Sequence, residues 1–154
     1  MPNLPHQSNF DLDANPLYNL NRTSATYIDE MSKALVHIGM TQNQWRVLAI
    51  LGHKNPSTIT EMSRKGVIKM STLTRILDKM VAQNLVTRTP WEEDRRIIKV
   101  MITKTGQDQL DKALKVNTNV YERVFDGVSA HQIKQLMATL KTMRTNLNRM
   151  PYSD

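Results

Sequence analysis

The feature that most constrains this chain is a change in the spacing of its apolar residues after Asn84. Before that point apolar residues recur every three or four positions, which is the spacing of one face of a helix. Residues 85–89 then predict a strand and 90–94 a turn, and 98–102 predict a returning strand because Ile and Val alternate there with other residues. A hairpin that directly follows a group of helices indicates a mainly α fold with one small β element.

Three capping boxes mark helix starts. In each, a Ser or Thr at the N-cap and a Gln or Glu three residues later exchange hydrogen bonds with the backbone. They are Thr41–Gln44, Thr58–Glu61 and Ser129–Gln132. Pro16 suits the first turn of an earlier helix, and Thr103 is expected to cap a later one.

Helix ends are predicted where residues tolerate the left-handed conformation. We expect Gly39, Gly52 and Gly66 to end the first three helices. Asn84 is expected to cap the fourth, and the long helix after the hairpin should run to about Gly127.

The predicted order is helix, helix, short helix, helix, hairpin, long helix and long helix. Residues 41–104 are therefore expected to form a winged helix-turn-helix within a single domain of residues 16–148. The outer helices, 16–38 and 106–148, carry apolar stripes that the small central module cannot cover. We expect them to be dimerisation helices, with an intramolecular helical bundle as the alternative. Residues 1–15 are polar with two prolines, which predicts a flexible N-terminal arm.

The chain is basic, and its charge is concentrated. The formal net charge is +7. From Lys54 to Lys104 there are 11 Lys and Arg against 5 Asp and Glu, a balance of 11 − 5 = +6. Such a module favours nucleic acid as the partner, ahead of an anionic membrane surface. The alternative is a soluble protein that happens to be basic.

Several classes of function lack their sequence signals. With no cysteine, disulfides, cysteine zinc sites and thiol redox sensing are excluded. The four histidines have no metal spacing, and there is no glycine-rich phosphate loop, so we expect neither an enzyme nor a metal or cofactor site. No apolar run reaches membrane-spanning length and the start does not resemble a signal peptide, which favours the cytoplasm without membrane binding.

The helix that begins near Met70 has polar residues beside its apolar stripe. Short hydroxyl side chains let a helix approach base edges and phosphates, and Arg can bridge two acceptors of guanine. These candidate DNA contacts are Ser71, Thr72, Thr74 and Arg75. The alternative is that they are ordinary first-turn residues.

The hairpin tip carries Asp94, Arg95 and Arg96. Arg is favoured in a narrow minor groove, where negative potential is focused. A neighbouring carboxylate can hold its guanidinium in one orientation. A solvated charged turn is the alternative, and Trp91 could either stack on a sugar or brace the wing.

Taken together, several segments resemble the multiple-antibiotic-resistance regulator (MarR) family over about residues 16–148. The Asp-x-Arg wing, followed by the Thr-x-x-Gly helix start, is the most specific part. The segments are 41–48, 71–80, 84–88, 94–96 and 100–106.

The resemblance implies a homodimer that binds a pseudo-palindromic operator in double-stranded DNA, usually as a repressor. It places Ser71, Thr72, Thr74 and Arg75 in the major groove. It also places Arg96 in the minor groove, with Asp94 orienting it and Arg95 near a phosphate. Two departures stand out: Gly66 replaces a bulky apolar residue, and Asn84 replaces a common Gly.

The family also implies a small aromatic effector: a carboxylate, a phenol or a coenzyme A thioester. An aromatic wall with one or two cations suits such a ligand. The candidates are Tyr18, Arg22, His37, Trp45 and Arg46, with Tyr27 nearby. Each has a plainer alternative, since Trp45 could be core, the arginines surface or inter-subunit ion pairs, and His37 a helix-end cation. An architectural DNA-binding protein without an effector is the alternative function.

Overall fold

The structure, a computed structural model, describes residues 10–149. Within that range it contains six helices and three strands, and the expected order of helices and hairpin is confirmed. The elements are α1 Pro16–Val36, α2 Gln42–His53, β1 Ser57–Thr58, α3 Ile59–Gly66, α4 Met70–Ala82, β2 Val86–Pro90, β3 Ile98–Ile102, α5 Lys104–Val124 and α6 Ala130–Leu147.

The region expected to be a flexible arm is only partly described. Residues 1–9 of the predicted arm lie outside the described residues. Beyond them, the backbone N–H of Asp13 donates to Asp11 and that of Asn15 donates to Leu12, forming a turn. The Asn15 side chain then caps α1, accepting from the N–H groups of Leu17 and Tyr18. Residues 11–15 therefore lead into α1 through a hydrogen-bonded turn.

The local signals for helix starts hold in all three cases. Each capping box is complete, with both the side chain and the backbone hydrogen bond present, at the starts of α2, α3 and α6. Gly39 and Asn84 have the expected left-handed φ, at +67° and +54°.

One predicted helix end was wrong, and the other was confirmed without the expected left-handed glycine. Gly52 lies inside α2, where an added Cβ would stand 2.7 Å from the Cδ2 of Leu110. Gly66 is the last residue of α3, and Val67 after it takes the left-handed conformation with φ 49°. A Cβ on Gly66 would lie 3.1 Å from side-chain atoms of both Ile50 and Ile68. At both glycines an added Cβ would crowd neighbouring side chains, and neither glycine takes a left-handed φ.

The wing belongs to a three-stranded antiparallel sheet in the order β1-β3-β2. In the hairpin Val86 faces Ile102 and Pro90 faces Ile98. On the other edge of β3, Ser57 faces Val100. Strand β1 was not predicted, because two residues are too few to show an alternating pattern.

One apolar core joins the helix-turn-helix, the sheet and the first part of α5. Leu73 and Leu77 of α4 and Val100 of β3 are completely buried there. The core also takes in Leu35 of α1 and Leu110 of α5. Burying one face of α4 leaves the opposite face, with its polar residues, in solvent.

The first turn of α5 packs directly on the start of β2. The Thr103 hydroxyl donates to the carbonyl of Asn84 at 2.6 Å, and the Thr103 N–H donates to that of Leu85 at 3.1 Å. The same hydroxyl accepts from the N–H of Gly106 at 2.9 Å, as expected for a helix cap. A Cβ on Gly106 would lie only 2.0 Å from the Leu85 oxygen. Only glycine allows this close approach.

The described residues divide into two compact units, one up to Val120 and one from Tyr121. In the first, α1 leaves large apolar side chains exposed, at Leu17, Leu20 and Ile28. In the second, the rings of Tyr121 and Phe125 lie 4.6 Å apart, and α6 buries none of its side chains.

Candidate nucleic-acid interface

The exposed face of α4 carries a row of hydroxyl and basic side chains. Its apolar residues Leu73, Leu77 and Met80 are fully buried. All four candidate contact residues are exposed: Ser71, Thr72, Thr74 and Arg75. We call these four the reading row. The Thr74 hydroxyl donates to the carbonyl of Met70 at 2.9 Å, whereas Arg75 forms no ion pair with any residue from 10 to 149.

The turn that leads into α4 is fixed by two side chains. The Ser63 hydroxyl donates to the carbonyl of Ile68 at 2.7 Å. The guanidinium of Arg46 donates to the carbonyl of Gly66, the last residue of α3. Together these bonds satisfy carbonyls at the turn and set the path into α4. Arg46, a candidate for ligand binding, is used here to hold the helix-turn-helix.

At the wing tip, the Arg96 guanidinium forms a forked pair with Asp94. Nε donates to Oδ1 at 3.1 Å and Nη2 donates to Oδ2 at 3.2 Å. The Arg96 backbone N–H also donates to Oδ1, at 3.0 Å. These bonds hold the pKa of Asp94 below its ordinary value. The Arg96 side chain is 91% exposed, so a charged fork with a fixed orientation projects into solvent.

Other residues at the tip keep the wing in shape. The backbone N–H of Trp91 donates to the carbonyl of Ile97 at 2.7 Å and closes the loop. The Lys99 ammonium lies 5.7 Å from the centre of the Trp91 ring, a cation–π distance. Trp91 is therefore placed as a brace within the wing, while Arg95 is exposed.

An ion pair that sequence reasoning missed joins the wing to α4. Nη2 of Arg88, on β2, donates to Oδ1 of Asp78 at 2.5 Å. The two residues are ten positions apart across a helix end, so no helical or strand spacing pairs them. The bond links the strand that carries the wing to the helix that carries the reading row.

A second ion pair braces α3. The Glu61 carboxylate accepts from the Lys54 ammonium and from the N–H of Thr58, at 2.9 Å in the latter case. These bonds lower the pKa of Glu61 from 4.5 to about 2. The charge of Lys54 is thus balanced by Glu61, whereas Arg75 and Arg95 form no ion pair with any of residues 10–149.

The five effector candidates are not brought together. Arg22 lies over the Tyr18 ring at 5.5 Å and reaches Asp13 at 3.5 Å, on the exposed face of α1. His37 is exposed at the C-cap of α1, and Trp45 is only 8% exposed within the core. Of the five, Tyr18 and Arg22 are the pair that the described structure places in contact.

The described residues also bear on two other classes of site. Among residues 10–149, no group of three or more His, Cys, Asp or Glu could hold a metal ion. No helix in the same range is long and apolar enough to cross a bilayer.

Comparison with known protein sequences identifies a family. The family model described as MarR matches residues 40–98. The HTH-type transcriptional repressor IacR of Pseudomonas putida is 32% identical over 143 residues, covering 93% of this chain and 86% of that protein. The homoprotocatechuate degradative operon repressor of Escherichia coli is 26% identical over 102 residues, covering 66% of this chain and 69% of that protein.

Solved structures share the fold. A MarR-family transcriptional regulator from Silicibacter pomeroyi matches with a TM-score of 0.81 and 27% identity, covering 92% of this chain and 96% of that one. A mutant MarR from E. coli complexed with operator DNA matches with a TM-score of 0.75 and 22% identity, covering 85% and 95%.

Proposed function

The chain belongs to the MarR family of DNA-binding transcriptional regulators, and we propose that it is a repressor that a small aromatic molecule releases from its operator. The operator is pseudo-palindromic and is bound by a homodimer. One observation carries the DNA part of the proposal: the Asp94–Arg96 fork and the reading row are both exposed, and the Arg88–Asp78 pair links their elements.

In this proposal each subunit inserts its reading row into a major groove. The two half-sites lie roughly one helical turn apart, as the geometry of a dimeric helix-turn-helix requires. Arg96 enters the adjoining minor groove with Asp94 fixing its fork, and Arg95 meets a phosphate. The module's net charge of +6 supplies the attraction that is independent of sequence.

Dimerisation is supported by the apolar side chains that the outer helices leave in solvent. On α1, Leu17 is 57% exposed, and on α6, Met137 is 57% and Leu136 45% exposed. A soluble protein seldom leaves amphipathic helices uncovered, and a second copy would cover them. The matched test is sedimentation equilibrium: Leu136→Glu should yield monomers, while Gln135→Glu, away from the apolar stripe of the same helix, should remain dimeric.

The effector is proposed to be an aromatic carboxylate or a related phenol or thioester. One relative is named as a repressor of homoprotocatechuate degradation, and homoprotocatechuate is an aromatic acid. On this chain Tyr18 and Arg22 offer a half-buried ring beside an exposed guanidinium, which suits such a ligand. A ligand releases DNA only by favouring a dimer arrangement that fits the operator less well. Because the partner is chromosomal DNA, we propose that the protein works in the cytoplasm.

The deciding experiment is a gel shift with the DNA just upstream of the protein's own gene, at two salt concentrations and with excess competitor DNA. A discrete complex that resists competitor supports a sequence-specific regulator. A smear lost equally to competitor supports the alternative, an architectural DNA-binding protein.

The same complex tests the effector. Homoprotocatechuate should dissociate it at a concentration where an aliphatic acid of similar size does not. Arg22→Ala should bind DNA normally but need more of the aromatic acid. If wild type and Arg22→Ala release DNA at the same concentration of aromatic acid, Arg22 is not part of the ligand site.

A further inference from the structure

A cleft of about 360 Å³ lies beside the reading row, between the start of α2 and one side of α4. Its volume is many times the ~30 Å³ share of a water molecule. The turn before α2 and its first residues supply one wall, and α4 supplies the other. The lining residues are Gly39, Thr41, Asn43, Gln44, Thr72, Arg75, Ile76, Lys79 and Gln83.

A side-chain bridge joins the two walls. The Gln44 amide donates from Nε2 to Oε1 of Gln83 at 2.5 Å. The oxygen of the same Gln44 amide accepts from the N–H of Thr41 at 2.8 Å, within the capping box of α2. One side chain thus fixes the helix start and ties it to the residue that caps the end of α4. A cleft that is built before binding loses less ordering free energy when it is filled.

The lining carries positive charge that nothing in the described structure neutralises. Arg75 and Lys79 both face the cleft, and neither forms an ion pair with any of residues 10–149. None of the lining residues is acidic, and the first turn of α2 contains no acidic residue. The remaining polar groups are neutral hydroxyls and amides, and those outside the Gln44–Gln83 bridge and the cap of α2 can donate hydrogen bonds. This donor set fits a compact anion.

We propose that the cleft seats one backbone phosphate of the DNA duplex and that Lys79 is its principal charge partner. The inference rests on the proposed function. DNA is favoured over a free anion because Thr72 and Arg75 belong both to the reading row and to the cleft. A duplex that receives this row must therefore bring its backbone to the same side of α4. Phosphate contacts fix the register of a protein on the duplex, so the cleft sets how α4 lies in the groove.

The first test measures operator affinity of the full-length protein against salt concentration for wild type, Lys79→Gln and Lys112→Gln. Lys112 is an exposed residue of α5 and carries the matched charge change outside the reading module. Losing one phosphate contact lowers the slope of log affinity against log salt by about 0.9, so a dimer should lose close to two. Lys79→Gln should show that loss and bind roughly tenfold more weakly at moderate salt. Lys112→Gln should match the wild type, and a wild-type slope for Lys79→Gln would overturn the proposal.

The second test places a single uncharged methylphosphonate at successive positions of each half-site. Wild-type affinity should fall sharply at one particular phosphate, and Lys79→Gln should be insensitive at that phosphate while remaining sensitive elsewhere. Equal sensitivity of both proteins at every position would contradict the assignment. Thermal melts check that Lys79→Gln folds like wild type.

A free carboxylate is the competing occupant of the cleft, and the same variant distinguishes it. If Lys79→Gln keeps the wild-type salt slope but loses release by homoprotocatechuate, the cleft binds the small anion and the phosphate proposal is wrong. Because phosphates carry no sequence information, the salt slope can also be measured on an arbitrary duplex. A protein that binds DNA without operator specificity would therefore contradict the proposed function, while the salt slopes of wild type and Lys79→Gln would still test the phosphate site.

Discussion

The Arg96 guanidinium and the Asp94 carboxylate, two residues apart at the wing tip, face each other through two parallel hydrogen bonds of 3.1 and 3.2 Å. The pair is exposed, so it adds little to the stability of the folded chain. Its effect is to restrict the rotamers of Arg96 before any partner is present. An arginine ordered in advance loses less side-chain entropy on entering a groove.

Replacing Arg96 by Ala should weaken operator binding by roughly 10- to 100-fold, the cost of a lost charge-assisted hydrogen bond. The melting temperature and the dimer should be unchanged, because the side chain is 91% exposed. Arg96→Lys keeps the charge but not the forked hydrogen bonds, so its operator affinity should lie between those of wild type and Arg96→Ala. Fluorescence anisotropy with labelled operator measures all three. Wild-type affinity for Arg96→Ala would remove the wing from the mechanism.

Substituting Glu61 by Gln should expose a pH-dependent contribution to stability. The folded-state pKa of about 2 lies below the ordinary 4.5, so ionised Glu61 stabilises the fold above pH 4.5. That contribution is lost as the pH falls from 4.5 through 2. Gln preserves the capping box but not the attraction to the half-exposed Lys54, so at pH 7 we expect a loss of only about 0.5–1 kcal/mol.

Urea unfolding followed by circular dichroism at pH 7 and pH 3 provides the check for Glu61. The difference between wild type and Glu61→Gln should shrink at the lower pH. A difference that is constant, or that grows as the pH falls, would mean that the Lys54 pair is not its source.

Exchanging Val67 for Asn should stabilise the protein. A β-branched residue at φ 49° is strained, whereas Asn tolerates the left-handed region at a cost lower by about 1 kcal/mol. Val67 is 87% exposed, so the exchange sacrifices little packing. Val36→Asn, at an exposed helical position, is the matched control and should bring no gain. Thermal melts at equal protein concentration decide the matter, and a lower melting temperature for Val67→Asn would contradict the strain argument.

Adding one methyl group at Gly106 should be costly. The new Cβ would lie 2.0 Å from the backbone oxygen of Leu85, which cannot move without disturbing β2 and its bond to Thr103. We expect Gly106→Ala to lose about 1–3 kcal/mol or more. Gly52→Ala is the matched comparison: its contact at 2.7 Å is with the end of the Leu110 side chain, which can rotate away. Urea midpoints should therefore rank wild type above Gly52→Ala and Gly52→Ala above Gly106→Ala, and the reverse order would refute this account.

Sequence patterns predicted the parts of the fold that depend on neighbouring residues. A capping box is a hydrogen-bond exchange across three residues, so Thr41 and Gln44 specify it without help from the rest of the chain. The left-handed Asn84 and the forked Asp94–Arg96 pair are equally local. The exposed reading row followed from helical spacing, since burying Leu73 and Leu77 leaves its residues outside.

Local sequence patterns could not predict the contacts between segments that are distant along the chain. The Arg88–Asp78 pair and the bond from Arg46 to the Gly66 carbonyl depend on how helices and strands pack. The cleft at Lys79 likewise has walls from two helices. For this reason the proposed effector residues, chosen along the sequence, are scattered in the structure.

Gly66 shows the division most clearly. By itself the sequence determined that a helix ends near residue 66 and that glycine suits a left-handed turn there. Only the tertiary structure decided that Ile50 and Ile68 approach this residue so closely that a Cβ would stand 3.1 Å from each. Glycine therefore avoids crowding against these two side chains, and the residue in the left-handed conformation is Val67. Backbone preference is a property of one residue, whereas packing depends on what the rest of the chain brings beside it.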